Sequence, residues 1–157
     1  LNPDTILLPN ALQIVYEHAI SSAQLGVVAS RLVDFDKKPY YPLGSKVLTP
    51  LRAIVSYTFL ENIFPFSFLA RDFFAEDKKD DISNVEIAPL TASLIKTTMF
   101  KSVGGFDNNF FLYFEEYDFG KRVKDKNYIS VICDQSLVMH AVGSSTKKRL
   151  DSNQFFK

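Results

Sequence analysis

The sequence predicts a single α/β domain in which helices flank a mixed sheet. The first observation is that short apolar runs alternate with helical patterns, and strands that alternate with helices form sheets that helices cover. The second is composition, since 46% of the 157 residues are hydrophobic and 23% are charged, which is typical of a globular chain. A chain of this length fits one domain and can bury about 70% of its unfolded surface.

The chain is predicted to open with a strand, a helix and a second strand. Residues 1–4 are interpreted as the end of a buried strand that places Asp4 at the carboxyl edge of the sheet, where α/β proteins bind ligands. The helix runs from Pro9 to about Ser22, since five apolar residues share one face: Leu8, Ala11, Leu12, Val15 and Ala19. Residues 26–33 are rich in β-branched side chains and form the second strand. This order predicts a parallel βαβ unit.

The next part of the chain is predicted to be a loop followed by an apolar stretch. Residues 34–45 form the loop, which prolines and a glycine mark. Residues 50–74 are mostly apolar or aromatic, but Glu61 and Pro65 lie in the middle and argue against a transmembrane span. We predict two short helices broken at Pro65. Their apolar residues either pack in the core or form a surface that touches a membrane or a lipid-linked acceptor.

The second half of the chain alternates between strands and helices again. Strands are predicted at residues 85–87, 92–95, 128–133 and 137–140, and helices at residues 97–103 and 115–126. The charged run over residues 75–81 and the polar tail from Ser144 are interpreted as loops.

Charge and cysteine content exclude several classes of protein. The 18 basic and 18 acidic residues cancel, which argues against a nucleic-acid partner. The single cysteine, Cys133, and two lone histidines, His18 and His140, leave no intrachain disulfide and no zinc-type cluster. We therefore expect a reducing, cytoplasmic location. The chain starts without a methionine or a signal-like segment, so we interpret it as part of a longer protein.

Residues 104–119 combine two glycines, an aromatic cluster and three carboxylates. The glycines permit positive φ and so a sharp exit from the preceding helix. Glu115, Glu116 and Asp118 fall in the first turn of the next helix, where negative charge complements the helix dipole. Apolar neighbours raise the pKa of a carboxyl group toward the range that suits a general base. A plainer interpretation also fits, in which Asp118 pairs with Arg122 at i,i+4 and the phenylalanines fill the core.

Four stretches in collinear order resemble family 2 glycosyltransferases, in particular the bacterial rhamnosyltransferase-like members. They are residues 104–119 (GGFDNNFFLYFEEYDF), 1–5 (LNPDT), 85–96 and 140–145 (HAVGSS). The resemblance implies the Rossmann-like GT-A fold, of which residues 1–157 would be the C-terminal portion without the nucleotide-binding strands. It implies an inverting enzyme that transfers a sugar, with rhamnose one candidate, from a nucleotide-diphospho-sugar to a glycan or lipid-linked acceptor in cell-surface polysaccharide synthesis. The isolated chain would then be inactive.

The resemblance also implies roles for particular residues. Glu116 matches the position of the general base, and Glu115 would orient the acceptor or substitute as the base. Asp4 would bind Mg²⁺ or Mn²⁺, and His140 would complete the metal shell or donate to a phosphate. A loop would close over the diphosphate with contacts from Ser144, Ser145 and Lys147.

Two departures from the family pattern leave alternatives open. Leu90 stands where the family usually has a glycine, and Asn2 stands where the metal motif usually begins with an acid. A non-catalytic module of the same family, which only binds carbohydrate or a partner, would retain the same motifs. A structural fragment with an exposed sheet edge would form oligomers. A second copy of the chain and the inner face of the cell membrane therefore remain candidate partners.

Overall fold

The computed structural model describes residues 1–40, 44–63, 81–110 and 114–140. The strands are β1 (Thr5–Leu7), β2 (Leu25–Val33), β3 (Ile82–Val85), β4 (Ser93–Ile95) and β5 (Ile129–His140). The helices are α1 (Ala11–Ser21), α2 (Pro50–Ser56), α3 (Thr97–Ser102) and α4 (Glu115–Asp125), with a 3-10 helix at Phe59–Asn62. The predicted α/β class, a mixed sheet with flanking helices, is confirmed and is compatible with part of a Rossmann-like fold.

Strand β5 is the centre of the sheet because it is paired along both of its edges. The strand order is β1-β5-β2-β4, and β3 also pairs with β5. Strand β2 runs parallel to β5, whereas β1 and β3 pair antiparallel with β5 and β4 pairs antiparallel with β2. Strands β2 and β5 are also the long β-branched runs of the sequence, which suits strands buried on both faces.

Helices cover both faces of the sheet. One face packs against α1 through Val15, Ala19, Val28, Val131 and Cys133. The other face packs against α3 and α4 through Val27, Ala29, Met99, Phe119, Val123 and Ile132. Neighbouring residues of β2 and β5 thus point to opposite faces, as the two-residue period of a strand requires. The contacts of Phe119 and Val123 fix the position of α4 against the sheet.

The prediction for the first strand is wrong. Leu1 and Asn2 are exposed and form no strand, and Pro3 and Asp4 lie in a turn that precedes β1. Strand β5 separates β1 from β2, and β1 is antiparallel to both, so these elements form no parallel βαβ unit. The physical reason is that β1 obtains its partner from the far end of the chain, and a local pattern contains no information about that pairing.

The strands predicted at residues 128–133 and 137–140 are one strand with a bulge. Between Ser30 and Arg31, β2 advances by one residue, while β5 advances from Cys133 to Leu137. The extra residues of β5 therefore leave the ladder, and the strand resumes beyond them.

The bulge residues have partners of their own. Ser136 is fully buried, donates a hydrogen bond from Oγ to the Ala11 carbonyl at 2.9 Å and lies 2.8 Å from Ser30 Oγ. Arg31 Nη1 donates to Asp134 Oδ1 at 2.6 Å, and both side chains are largely buried. Asp134 and Ser136 are therefore hydrogen-bonded to other parts of the protein although they lie outside the regular ladder.

The helices lie close to their predicted positions. Helix α1 begins at Ala11 instead of Pro9, after Asn10 adopts a left-handed conformation with φ of 65°. Ala11 and Ala19 are buried as the apolar face predicts, but Leu12 is 61% exposed. Helices α3 and α4 start at their predicted residues and each end one residue early.

The apolar stretch over residues 50–74 forms short helices where it is described. Helix α2 and the 3-10 helix separate at Tyr57 and Thr58. Pro65, where the break was predicted, lies outside the described residues. Val55 is fully buried, whereas several apolar side chains are exposed: Leu51, Ile54, Tyr57, Phe59 and Ile63. No helix in the described parts of the chain has the length and apolar character needed to cross a bilayer.

Candidate functional site

Asp4 and His140, two of the predicted site residues, lie at the edge of the sheet where β5 ends. Thr5 pairs with His140, the last residue of β5, so Asp4 lies just beyond that end. The Ser30 amide donates to the Ala92 carbonyl at 2.8 Å, which places the residues before β4 beside the C-terminal half of β2. The carboxyl ends of parallel strands are where α/β sheets bind their ligands.

Asp4 and His140 lie side by side at this edge. His140 Nε2 is 3.3 Å from Asp4 Oδ1, and both side chains are partly buried. The Tyr40 hydroxyl donates to the His140 carbonyl at 2.9 Å, and the two rings meet edge-on with centroids 6.4 Å apart. The pair is therefore held by contacts on two sides.

This pair could supply two protein ligands to a divalent cation. A carboxylate oxygen and an imidazole nitrogen 3.3 Å apart can occupy neighbouring positions around an ion whose ligand distances are about 2.1 Å. Among the described residues, no group of three or more His, Cys, Asp or Glu side chains surrounds such a position. The other coordination positions would fall to water or substrate phosphates, as is common for Mg²⁺.

Helix α4 presents Glu115 and Glu116 to a cleft of about 370 Å³ at the same edge. The lining includes Asn2, Leu90, Thr91, Phe106, Glu115 and Glu116. The Asn2 amide donates to the Thr91 carbonyl at 2.9 Å, so the segment that carries Asp4 forms one wall of the cleft. Asp4 and His140 themselves are outside the set of lining residues. The metal candidates thus adjoin the cleft without entering it.

Glu116 has an environment that favours its protonated form. Burial raises the pKa of Glu116 above its ordinary value, the Leu90 amide opposes that rise, and the neighbouring Glu115 carboxylate adds to it. The Leu90 amide donates to Glu116 Oε2 over a long distance of 3.4 Å. A raised pKa makes a carboxylate a stronger base, which suits proton abstraction from a hydroxyl group.

Glu115 has an unsatisfied oxygen. Its Oε2 atom is buried from solvent and receives no hydrogen bond from the described residues. A buried acceptor without a donor costs about 1–3 kcal/mol, and more when it is charged. A bound molecule that supplies a hydroxyl donor would remove this cost.

Arg122 holds the glycine turn that precedes Phe106, one of the residues that line the cleft. Its Nη1 donates to the Val103 and Gly105 carbonyls, each at 2.6 Å. Its Nε and Nη2 donate to Asp118 Oδ2 at 2.9 and 2.5 Å, so the expected i,i+4 pair is present. Gly104 and Gly105 have φ of 86° and 71°, as the sharp exit from the helix requires. The contacts from Arg122 to the glycine turn had no sequence signal beyond the glycine pair.

Phe106 follows the glycine turn and lines the cleft. Its ring centroid lies 5.4 Å from that of Phe100 and 4.9 Å from that of Phe119, and 45% of the residue is exposed. Sequence reasoning included Phe106 in the aromatic cluster but gave it no role. The ring of Phe106 therefore packs against two other aromatic rings and is partly exposed in the cleft.

The remaining predicted residues fall on undescribed parts of the chain. Ser144, Ser145 and Lys147, which were predicted to close over a diphosphate, lie outside the described residues. Their roles stay predictions, as do those of Asp4, His140, Glu115 and Glu116.

Comparison with known proteins gives a partial similarity. No protein-family model matches the chain. The chain is similar to the N-acetylglucosaminyl-diphospho-decaprenol L-rhamnosyltransferases of two Mycobacterium tuberculosis strains, CDC 1551 / Oshkosh and ATCC 25618 / H37Rv. Each match is 36% identical over 53 residues, which is 34% of this chain and 17% of the relative. The similarity therefore supports a glycosyltransferase-like role only at the level of the class.

Proposed function

We propose that the chain belongs to an inverting glycosyltransferase that moves a sugar from a nucleotide-diphospho-sugar to a hydroxyl of a glycan or lipid-linked acceptor. The observation that supports the proposal is that the segment carrying Asp4 forms part of the wall of the cleft that Glu116 lines. Asp4 lies beside His140, and Glu116 lies in a cleft whose wall includes Asn2. The relatives' name describes rhamnose and a polyprenyl-diphosphate acceptor, so rhamnose and a lipid-linked acceptor in polysaccharide synthesis are the finer candidates.

Glu116 would act as the general base. The Leu90 amide holds Oε2, which leaves Oε1 to accept the proton from the acceptor hydroxyl. The hydroxyl oxygen then forms its bond to the anomeric carbon as the bond to the diphosphate oxygen breaks on the opposite face. This in-line displacement inverts the configuration at that carbon, and the electron pair leaves with the nucleoside diphosphate.

Asp4 and His140 would hold Mg²⁺ or Mn²⁺. When bound, the cation supplies positive charge that stabilises the departing diphosphate. The chain's own contribution is a carboxylate and an imidazole at 3.3 Å, with Tyr40 fixing the backbone of His140. We also propose that Ser144, Ser145 and Lys147 contact the phosphates, and that the enzyme works in the cytoplasm at the inner face of the cell membrane.

The test is sugar transfer by the whole enzyme that carries this chain, with Glu116→Gln. Glutamine has the shape of glutamate but cannot accept the proton, so kcat is expected to fall by about 10²- to 10⁴-fold. Donor affinity, measured by calorimetry, is expected to stay unchanged. The matched control is Glu17→Gln on the exposed side of α1, which should keep full activity. Turnover by Glu116→Gln comparable with that of the unaltered protein would remove Glu116 from this role.

Carbohydrate binding without transfer is the second candidate function. The observation that favours it is Glu115, which lines the cleft and whose Oε2 atom has no hydrogen-bond donor among the described residues. A protein of this kind would bind an acceptor sugar and show no transfer with any nucleotide sugar. The two candidates are therefore separated by the same transfer assay combined with a binding measurement.

A further inference from the structure

We infer that the cleft binds one neutral pyranose ring of the acceptor, with Phe106 as the surface on which the sugar stacks and Glu115 as the acceptor of a sugar hydroxyl. The inference rests on the proposed function for the identity of the ligand as an acceptor. It goes further by assigning the class of sugar and the residue that recognises it.

The first step concerns the ring of Phe106. It packs against Phe100 at an interplanar angle of 72° and against Phe119 at 47°. Phe106 lines the cleft and is 45% exposed, so part of the ring is available to a ligand. One face of a pyranose presents axial C–H bonds, and these polarised hydrogens are attracted to the negative face of an aromatic ring. Stacking also removes apolar surface of both partners from water.

The second step concerns order before binding. Phe106 directly follows Gly105, whose carbonyl accepts a hydrogen bond from Arg122 Nη1 at 2.6 Å. The backbone that carries the ring is thus held to α4, the helix that carries the two glutamates. Because the ring and the carboxylates are already in place, the ligand does not have to order them, and this lowers the cost of binding.

The third step concerns charge. Glu115 and Glu116 line the cleft, and no basic side chain lines it among the described residues. A phosphate or an acidic sugar would be repelled by these carboxylates, whereas a neutral ligand would bring hydroxyl donors that a carboxylate accepts. The chemistry therefore favours a neutral sugar in this cleft and keeps the diphosphate elsewhere.

The fourth step concerns size. The cleft volume of about 370 Å³ lies near the lower end of small-molecule sites, which span roughly 300–1,000 Å³. Leu90 adds bulk to the wall and packs against the core beneath the cleft. A single ring fits this space better than an oligosaccharide does.

The experiment is saturation-transfer NMR of the chain with the methyl β-glycoside of N-acetylglucosamine, the sugar in the relatives' name. We expect the strongest saturation on H1, H3 and H5, which are axial on one face of this sugar. Phe106→Leu should weaken the affinity about five- to tenfold, while Phe106→Tyr, which keeps the ring, should retain it. The matched control is Phe35→Leu, since Phe35 is 65% exposed and is not among the residues that line the cleft.

The outcomes separate this inference from the proposed function. Equal affinity in Phe106→Leu and the unaltered chain, or no saturation transfer in the unaltered chain, overturns the inference. Circular dichroism of each variant establishes that it is folded, and Phe106→Met, which also removes the ring and should also weaken binding, serves as the reading if Phe106→Leu is not. Sugar binding that depends on Phe106, without any transfer activity in the whole enzyme that carries this chain, supports the subsite and refutes the transferase. Transfer with an unchanged acceptor KM in Phe106→Leu does the reverse.

Discussion

Arg122→Met tests whether the guanidinium holds the glycine turn against α4. The guanidinium bonds the carbonyls of Val103 and Gly105 at 2.6 Å and the carboxylate of Asp118. Methionine keeps most of the apolar stem but supplies no donor. The substitution therefore removes the hydrogen bonds and the ion pair while leaving most of the packing in place.

The expected loss of stability follows from burial and from the number of partners. The side chains of Arg122 and Asp118 are each 28% exposed, so their interaction is screened less than that of a surface pair. Hydrogen bonds to a charged group contribute about 1.5–3 kcal/mol each, but bonds that share one donor group do not add fully. We expect the free energy of unfolding to fall by about 2–4 kcal/mol, or roughly 5–12 °C in Tm for a chain of this size.

The matched control is Lys121→Met on the same helix. Lys121 and Asp125 form an i,i+4 ion pair, but their side chains are 54% and 56% exposed. Such pairs contribute less than about 1 kcal/mol, so this substitution should lower stability by roughly 0.5 kcal/mol or less. Urea unfolding monitored by circular dichroism measures both values. If Arg122→Met and Lys121→Met differ by less than about 0.5 kcal/mol, the turn does not depend on Arg122.

Three further outcomes follow from the structure. The raised pKa of Glu116 makes the folded state bind more protons than the unfolded state, so the free energy of unfolding falls as pH rises from the ordinary pKa of 4.5 through the raised pKa. Glu116→Gln should remove this fall, which urea unfolding at pH 4 and at pH 7 measures. A variant less stable than the unaltered chain at pH 7 would contradict the prediction. Asp4→Asn should weaken Mn²⁺ binding at least tenfold, measured by calorimetry, because the carboxylate ligand is lost and His140 is the ligand that remains of the pair. Unchanged affinity would exclude this site. Gly120→Ala should destabilise by about 1 kcal/mol, because a Cβ there would lie 2.6 Å from Ile87 Cδ1, and the cost of overpacking exceeds the gain in helix propensity of about 1 kcal/mol. Ile87→Val should recover part of the loss.

Local patterns predicted the helices and the central strands well. The spacing of Ala11, Val15 and Ala19 predicted the buried face of α1, and the β-branched run predicted β2. The acids of the first turn and the Asp118–Arg122 pair predicted the start and register of α4. Each of these depends on contacts within a few residues along the chain, which a sequence pattern records directly.

The pairing of strands that are distant in the chain could not be predicted from local sequence patterns. Nothing near Asp4 indicates that Thr5 will pair with His140, so the position and direction of β1 were predicted wrongly. The exposed fraction of Leu12 likewise depends on what the rest of the sheet leaves uncovered.

In the candidate site, the resemblance supplied the acids, and the structure supplied their surroundings. The proximity of Asp4 to His140, the amide of Leu90 at Glu116 and the exposed ring of Phe106 are all tertiary contacts between distant parts of the chain. No periodicity or spacing in the sequence encodes them.

The bulge in β5 separates the side-chain alternation of the residues before it from that of the residues after it. Cys133 and Leu137 are four positions apart, yet they pair with adjacent residues of β2, so side-chain alternation restarts after the bulge. Insertions or deletions during evolution can therefore be absorbed between these residues without turning His140 away from Asp4. We expect natural length variation to collect there, while the spacing from Leu137 to His140 stays constant.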